Sequence, residues 1–195
     1  MMEELAHHIL DIARNSVEAG ATRLEITVEE DTQSGVLRFV VGDNGPGMPE
    51  HVRRRMLDPF FTTKSGKKVG LGLPLLQMAV QRCGGHLEVS SAPGQGTTVV
   101  ATFPYYCWDR PPLGDIPRTV VGLLAGSNQV DLCYRHVYNG QVFELDTVEI
   151  RLRLGGIPLQ TPEVLLWLRQ HLAESINNLC GGGEDGQDRL ARRAG

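Results

Sequence analysis

Two polar side chains spaced four residues apart in the first predicted helix could bind a metal ion and orient a nucleophile. Asp11 and Asn15 lie in a segment whose apolar residues follow helical spacing, so both side chains project from one face of the helix. A carboxylate and an amide oxygen in this arrangement can hold a hydrated divalent cation. The same spacing also fits a solvated polar stripe on an amphipathic helix, and both interpretations stay open for this pair alone.

A second candidate is the segment Asp43-Asn-Gly-Pro-Gly-Met48, which follows a predicted strand. The Asp43 carboxylate can accept a hydrogen bond from an exocyclic amine, and Gly45 and Gly47 allow the backbone to approach a flat ligand closely. The alternative is an Asx/Gly turn that binds nothing.

Two further glycine segments favour an anion site and a tight turn. Gly70-Leu-Gly-Leu73 runs into a helix N-terminus, where successive backbone N–H groups and the helix dipole suit phosphate. Lys64, Lys67 and Lys68 lie just upstream and would complement a triphosphate, although a solvated lysine loop is equally natural. Gly94-Gln-Gly96-Thr97 indicates a hairpin turn first, and Thr97 could additionally hydrogen-bond a ligand.

The elements that must position these residues form an α/β (α+β) pattern. Up to residue 104 the hydrophobic periodicity predicts the order α-β-β-α-loop-α-β-β, which is typical of a two-layer sandwich with a mixed, mostly antiparallel sheet and helices on one face. The predicted helices begin near residues 5, 49 and 73, and the predicted strands cover 23–28, 36–41, 86–91 and 97–103.

Beyond Pro111-Pro112 the sequence predicts a smaller C-terminal extension. Strands are expected over 118–125, 130–138 and 141–145, the last two joined by the hairpin signal Asn139-Gly140, and an amphipathic helix follows Thr161. From residue 181 the chain lacks apolar periodicity and predicts a disordered tail. We therefore divide the chain into an N-terminal domain (1–108), an extension of strands and a helix (109–180) and a tail (181–195).

The composition is that of an ordinary globular protein. The 195 residues carry a net charge of −4, which gives no reason to expect nucleic acid or a membrane surface as a partner. No signal peptide or membrane span is visible, so we expect a cytoplasmic protein. The four cysteines have no paired spacing, which predicts thiols buried as small hydrophobic groups in a reducing compartment.

Taken in chain order, the candidate segments resemble the N, G1, F, G2 and G3 boxes of the gyrase, heat-shock chaperone, histidine kinase and MutL (GHKL) ATPase superfamily. The matching residues are Asn15, Asp43-x-Gly-x-Gly47, Phe60-Phe-Thr-Thr-Lys64, Gly70-x-Gly72 and Gly94-x-Gly-Thr97. The F and G2 boxes look most like histidine kinases, and the passage after Asn15 is similar to MutL proteins. The resemblance implies the Bergerat ATP-binding fold, with ATP under a mobile lid at about residues 59–72.

The resemblance further implies that ATP and Mg²⁺ are bound. At the phosphate end Asn15 would ligate Mg²⁺, Lys64 would stabilise phosphate charge and Asp11 would orient the acceptor. At the other end Asp43 would accept from the adenine amine, with Thr97 nearby. The remaining implied contacts are Gly45, Gly47 and Met48, which would line the base, and the backbone at Gly70, Leu71, Gly72 and Leu73, which would cradle phosphate.

Two departures from the family pattern bear on activity. Hydrolysing members and the serine kinases carry Glu where this chain has Asp11, whose reach is one methylene shorter, so geometry rather than pKa would limit it as a general base. Histidine kinases also need an acceptor histidine on a dimerisation hairpin, and few residues precede the helix of Asn15. We expect a stand-alone protein without that domain, with His7 and His8 as packing or partly exposed residues.

Three functions follow from these expectations. The favoured one is a signal-transduction kinase that phosphorylates a separate protein partner on His or Ser. The alternatives are a slow ATPase whose lid switches an interaction, and a nucleotide-sensing module without turnover. Residues 111–180 carry no predicted chemistry and are expected to form a docking surface or a homodimer interface.

Overall fold

The computed structural model describes residues 4–58, 72–127 and 130–181. The helices of this part are α1 (Leu5–Glu18), α2 (Glu50–Arg53), α3 (Gly72–Arg82), α4 (Ile116–Gly126), α5 (Thr147–Leu154) and α6 (Pro162–Leu179). The strands are β1 (Arg23–Asp31), β2 (Val36–Asp43), β3 (His86–Ser91), β4 (Thr97–Pro104), β5 (Asp131–Tyr138) and β6 (Gln141–Asp146).

The strands form one six-stranded sheet in the order β3-β4-β2-β1-β5-β6. All neighbouring strands are antiparallel except β1 and β5, which pair in parallel with Val28 opposite His136. The prediction of a mixed, mostly antiparallel sheet is therefore confirmed. Strands β5 and β6 belong to the predicted extension, and they add two strands to the sheet that the N-terminal strands form.

One face of the sheet is buried because its strands alternate apolar and polar residues. In β1, Leu24, Ile26 and Val28 are almost completely buried, whereas Glu25 between them is exposed. The helices that cover this face lie side by side: α3 contacts α1, α1 contacts α4, and α4 contacts α6. The two-layer α/β sandwich is thus as predicted. Among the described helices, none is both long enough and apolar enough to cross a membrane.

Residues 118–125 were expected as a strand and instead lie within helix α4, so this prediction is wrong. The β-branched run Thr119-Val-Val121 produced the strand signal. The helix is favoured because Asp115 accepts a hydrogen bond from the Arg118 N–H at 2.8 Å and Pro117 lies in the first turn. Its buried residues follow helical spacing, which suits packing between α1 and α6, and they are Ile116, Thr119, Val120, Leu123 and Leu124.

The remaining predicted elements differ mainly in length. The helix expected from Pro49 to Leu57 is a helix only over Glu50–Arg53 and continues as turns. Strands β5 and β6 and helix α6 lie where they were expected. Helix α5 was not predicted; it begins where Asp146 accepts a hydrogen bond from the Val148 N–H at 2.8 Å.

The expectation that all cysteines are unpaired is wrong for two of them. Cys83, just after α3, and Cys107, just after β4, form a disulfide with their Cα atoms 5.7 Å apart. The sequence spacing of 24 residues carried no disulfide signal, because the two positions meet only when α3 packs on β3 and β4. The disulfide fastens the C-terminal end of α3 to the segment that follows β4.

Candidate functional site

Asp43, the last residue of β2, is held by donors from three parts of the chain. Its Oδ1 accepts hydrogen bonds from the backbone N–H of Gly45 at 2.8 Å and of Thr97 at 3.2 Å. Its Oδ2 accepts from the Ser16 hydroxyl at 2.6 Å. The carboxylate is therefore fixed at the junction of α1, the loop after β2 and the start of β4.

Ser16 is a site residue that the sequence analysis missed. Its side chain lies on the buried face of α1, and its hydroxyl ends on Asp43 rather than on apolar atoms. Because Ser16 follows Asn15 directly, helix α1 links the Asp43 carboxylate to the residue expected at the metal. A hydroxyl on the buried face of an otherwise apolar stripe was the available signal.

The loop after β2 is fastened to β1 by a second side chain that was not singled out. Asn44 Oδ1 accepts from the backbone N–H of Thr22 at 2.9 Å and of Arg23 at 2.8 Å, and its Nδ2 donates to Thr22 Oγ1. The Asn44 side chain thus makes three hydrogen bonds within the protein. Its role in the Asp43-Asn-Gly segment is to hold the loop.

Gly47 and Gly96 bring the loops after β2 and before β4 into direct backbone contact. A Cβ on Gly47 would overlap the carbonyl group of Ala92, and a Cβ on Gly96 would overlap the carbonyl group of Asp43. Both residues also have positive φ angles, +66° and +73°, which side chains rarely adopt. Each of these two glycines therefore lacks a side chain where another part of the protein backbone lies in contact with it.

Ser91 joins the same two loops through its side chain and was also missed by the sequence analysis. Its hydroxyl accepts from the Met48 N–H at 2.8 Å, donates to the Gly96 carbonyl at 2.9 Å and lies 3.0 Å from Thr97 Oγ1. Two predicted site residues, Met48 and Thr97, therefore meet Gly96 at one hydroxyl group. The G1-like and G3-like segments form a single unit.

At the other end of the site, Asp11 meets Asn15 and the first residue of α3. Asn15 Nδ2 donates to Asp11 Oδ2 at 3.4 Å, as their helical spacing predicts. A Cβ on Gly72 would overlap the same Asp11 oxygen, so α3 begins directly against this carboxylate. Leu73 follows in the first turn of α3 and packs against the core.

Several predicted residues lie outside the described part of the chain. These are Lys64, Gly70 and Leu71, together with Lys67, Lys68 and most of the expected lid.

The two histidines of α1 differ in exposure. His7 is exposed, whereas His8 is 2% exposed, and burial lowers the pKa of His8 while the Asp11 charge opposes this shift. Within the described residues, His8 Nδ1 has no hydrogen-bond partner. A buried, neutral imidazole is a packing group, in line with the expectation for His8.

A groove of about 480 Å³ runs along the outside of the joined loops. Met48 and Gly96 line it together with Arg53, Ser90 and Thr98, while Asp43 does not. Ser90 and Thr98 are paired on the open face of the sheet, opposite the face that carries Thr97. Ser91, which joins the two loops, also lines the groove, so the groove borders these loops but does not reach the Asp43 carboxylate.

Residues 2–106 match the model of the family described as "Histidine kinase-, DNA gyrase B-, and HSP90-like ATPase". The chain belongs to this ATPase family. Membership confirms the resemblance to the superfamily and supports ATP binding. The family model spans α1 to β4, which are the elements that carry the described candidate residues.

In sequence, the chain is similar to histidine kinases of this ATPase family. It is 34% identical over 106 residues to the signal transduction histidine-protein kinase AtoS of Escherichia coli, covering 52% of this chain and 17% of that protein. It is 35% identical over 104 residues to sporulation kinase A of Bacillus subtilis, covering 52% and 16%. The chain spans about one sixth of the length of these two relatives.

A solved structure supports the fold. The crystal structure of the N-terminal domain of a DNA repair protein aligns with a TM-score of 0.52 at 14% identity, covering 73% of this chain and 52% of that one. The larger share of this chain covered, compared with the sequence relatives, indicates that the fold likeness extends beyond the matched ATPase elements.

The contribution of the close contact between Gly96 and Asp43 to stability can be tested against Gly94, a matched control in the same turn. Gly94 has a similar φ of +75°, but a Cβ there would meet nothing within 4 Å. We expect Gly94→Ala to lower the free energy of unfolding by about 1 kcal/mol, because alanine disfavours the left-handed backbone conformation. Gly96→Ala should lower it by about 3 kcal/mol, because the backbone of Asp43 must also move to make room for the Cβ.

The free energy of unfolding in urea, measured for both variants, checks this expectation. Equal losses for the two alanines would show that the close approach of Gly96 to Asp43 contributes nothing.

Proposed function

We propose that this chain binds ATP with Mg²⁺ between helix α1 and the joined glycine loops, and that it transfers the γ-phosphoryl group to a protein partner. The observation that carries the proposal is the Asp43 carboxylate, fixed by three donors next to helix α1. The similarity to protein kinases supports transfer of the phosphoryl group to a protein, and membership of the ATPase family supports ATP as the bound nucleotide.

The adenine end is built around Asp43. A carboxylate oxygen can accept two hydrogen bonds, and Oδ2 accepts one from Ser16, so a second position suits the exocyclic amine of adenine. Thr97 lies beside the carboxylate through its N–H, and Gly45, Gly47 and Met48 form the adjoining wall. Ser16 and Ser91 keep this wall rigid, which lowers the entropy lost on binding.

The phosphate end is built around Asn15 and the start of α3. Amide and carboxylate oxygens are the hard ligands that Mg²⁺ prefers, and Asn15 with Asp11 offers such a set on one helix face. Asn15 would hold the ion, which neutralises phosphate charge when bound. Backbone N–H groups at Gly70, Leu71, Gly72 and Leu73 would donate hydrogen bonds to phosphate oxygens, and Lys64 would add positive charge.

Phosphoryl transfer at this site would rest on positioning and charge neutralisation. Asp11 would orient the attacking group and accept its proton, since its carboxylate lies one helical turn before Asn15. Gly72 keeps α3 close enough for the incoming phosphate and the acceptor to lie near the same carboxylate.

The contact of Asp11 with Gly72 favours a second candidate function. A nucleotide bound at the start of α3 would change the surroundings of this carboxylate, so hydrolysis could be coupled to a movement of α3. In that case the protein would be a slow ATPase switch, or a nucleotide sensor if no hydrolysis occurs, and it would regulate a partner complex.

The binding site can be tested by comparing two variants with and without Mg²⁺. We expect Asp43→Asn to weaken ATP binding about tenfold or more in both conditions, because a charge-assisted acceptor is lost. Asn15→Ala should weaken binding in Mg²⁺ and leave binding in EDTA unchanged. Isothermal titration calorimetry measures both effects.

Asp31→Asn is the matched control for Asp43→Asn. Asp31 ends β1 at the opposite end of the sheet, where it accepts from the N–H groups of Gln33 and Ser34 in a turn. Its substitution should leave ATP affinity unchanged. Wild-type affinity in Asp43→Asn would rule out the proposed adenine site.

The chemical step can be separated from binding at Asp11. We expect Asp11→Asn to slow release of the γ-phosphoryl group about a hundredfold or more while ATP affinity changes little. Incubation of wild type and variant with γ-labelled ATP and cell extract measures both label on protein and free phosphate.

The distribution of label decides between the two functions. Asp11-dependent label on a partner protein supports the kinase, and Asp11-dependent free phosphate without labelled protein supports the ATPase switch. Unchanged turnover in Asp11→Asn would contradict the role assigned to this carboxylate.

A further inference from the structure

A second group of polar side chains lies at the end of the sheet far from Asp43. His136 on β5 is completely buried, and its Nε2 lies 3.1 Å from Glu30 Oε1 on β1. Its Nδ1 lies 2.6 Å from the hydroxyl of buried Tyr134. Cys180, which ends α6, completes the group: one ligand atom each of Glu30, His136 and Cys180 lies within 4.8 Å of the other two.

The fold explains why these residues meet. Strands β1 and β5 run in parallel, so Val28 lies opposite His136 and Glu30 lies opposite Tyr138. The even-numbered residues of both strands face the helix layer, which puts Glu30, Tyr134 and His136 on one side of the sheet. Helix α6 contacts β5 and β6 on that side and ends at Cys180.

This group has the donor chemistry of a metal site. An imidazole nitrogen, a thiolate sulfur and a carboxylate oxygen are the three ligand types that proteins use for Zn²⁺, whereas a thiolate is a poor ligand for Mg²⁺ or Ca²⁺. In a tetrahedral zinc site neighbouring ligand atoms lie roughly 3–4 Å apart, as bond lengths of about 2.0–2.3 Å require. The Nε2–Oε1 pair already has this spacing.

We propose that Glu30, His136 and Cys180 bind one Zn²⁺ ion, with Tyr134 as the hydrogen-bond partner of the ligating imidazole. Glu30 and Cys180 are partly accessible, so solvent can supply the fourth ligand. The bound ion would join the C-terminal end of α6 to β1 and β5.

Metal binding would change the positions of the protons on His136. In the tautomer with its proton on Nε2, the metal-free His136 donates to Glu30 and its Nδ1 accepts from the Tyr134 hydroxyl. On binding, the His136 proton moves from Nε2 to Nδ1, where the Tyr134 oxygen accepts it, and the Cys180 thiol releases its proton to solvent. Burial raises the pKa of the Tyr134 phenol well above its usual value.

This site is independent of the proposed ATP site. Asp43 is paired with Leu24, six residues before Glu30 on β1, which corresponds to about 20 Å along the strand. Failure of one proposal therefore leaves the other intact.

The test is Co²⁺ titration of the full chain after treatment with a chelator. Co²⁺ takes the place of Zn²⁺ and reports a bound thiolate by a charge-transfer absorption band. Wild type should bind one equivalent with this band, and Zn²⁺ should displace it. Cys180→Ser should lose the band, and Tyr134→Phe should bind about tenfold more weakly or worse because it removes the partner of the ligating imidazole.

Cys133→Ser is the matched control. Cys133 lies on β5 beside Tyr134 but on the opposite face of the sheet, and burial together with the charges of Glu144 and Asp146 raises the pKa of its thiol. This variant should keep the band. Cys83 and Cys107 are joined in the disulfide and offer no thiolate.

Each other outcome overturns the proposal. No thiolate band in wild type would show a metal-free hydrogen-bonded group, and a band retained in Cys180→Ser or lost in Cys133→Ser would place the metal elsewhere. Because Cys180 and Glu30 lie at the edge of the core, Glu30→Gln provides a second variant that should fold, and it should lower the affinity for Co²⁺.

Discussion

The arrangement of the site depends on the carboxylate of Asp43, which accepts hydrogen bonds from three segments of the chain. Ser16 from α1, Gly45 from the following loop and Thr97 from β4 all donate to it. A carboxylate can accept several hydrogen bonds at once, and charge-assisted hydrogen bonds are stronger than neutral ones. This one group therefore fixes the helix, the loop and the hairpin relative to each other, and the two glycine loops can close on each other only because Gly47 and Gly96 lack side chains.

The same helix connects the two ends of the proposed nucleotide site. Ser16 orients Asp43, its neighbour Asn15 contacts Asp11, and Asp11 meets the start of α3. In the proposed site, the distance between the adenine acceptor and the phosphate end would be set by the step of five residues from Asp11 to Ser16, about one and a half turns of α1. The C-terminal elements stabilise this helix from the other side, since α4 packs between α1 and α6 and β5 pairs with β1.

Much of this arrangement could be predicted from local sequence patterns. Alternation in β1 and β2 and helical spacing in α1 act over a few residues, and these predictions agree with the structure. The strand expected over 118–125 failed because three β-branched residues in a row masked the helical spacing of Ile116, Val120 and Leu124. Ser91 and the Cys83–Cys107 disulfide depend on contacts between distant segments, which no local pattern encodes.

The most direct test of the account is a crystal structure of the chain with Mg²⁺ and a non-hydrolysable ATP analogue. We predict that the adenine amine lies within hydrogen-bond distance of Asp43 Oδ2 and that the metal lies beside the side-chain oxygen of Asn15. A nucleotide seated instead in the outer groove between Met48 and Arg53, away from Asp43, would contradict the account.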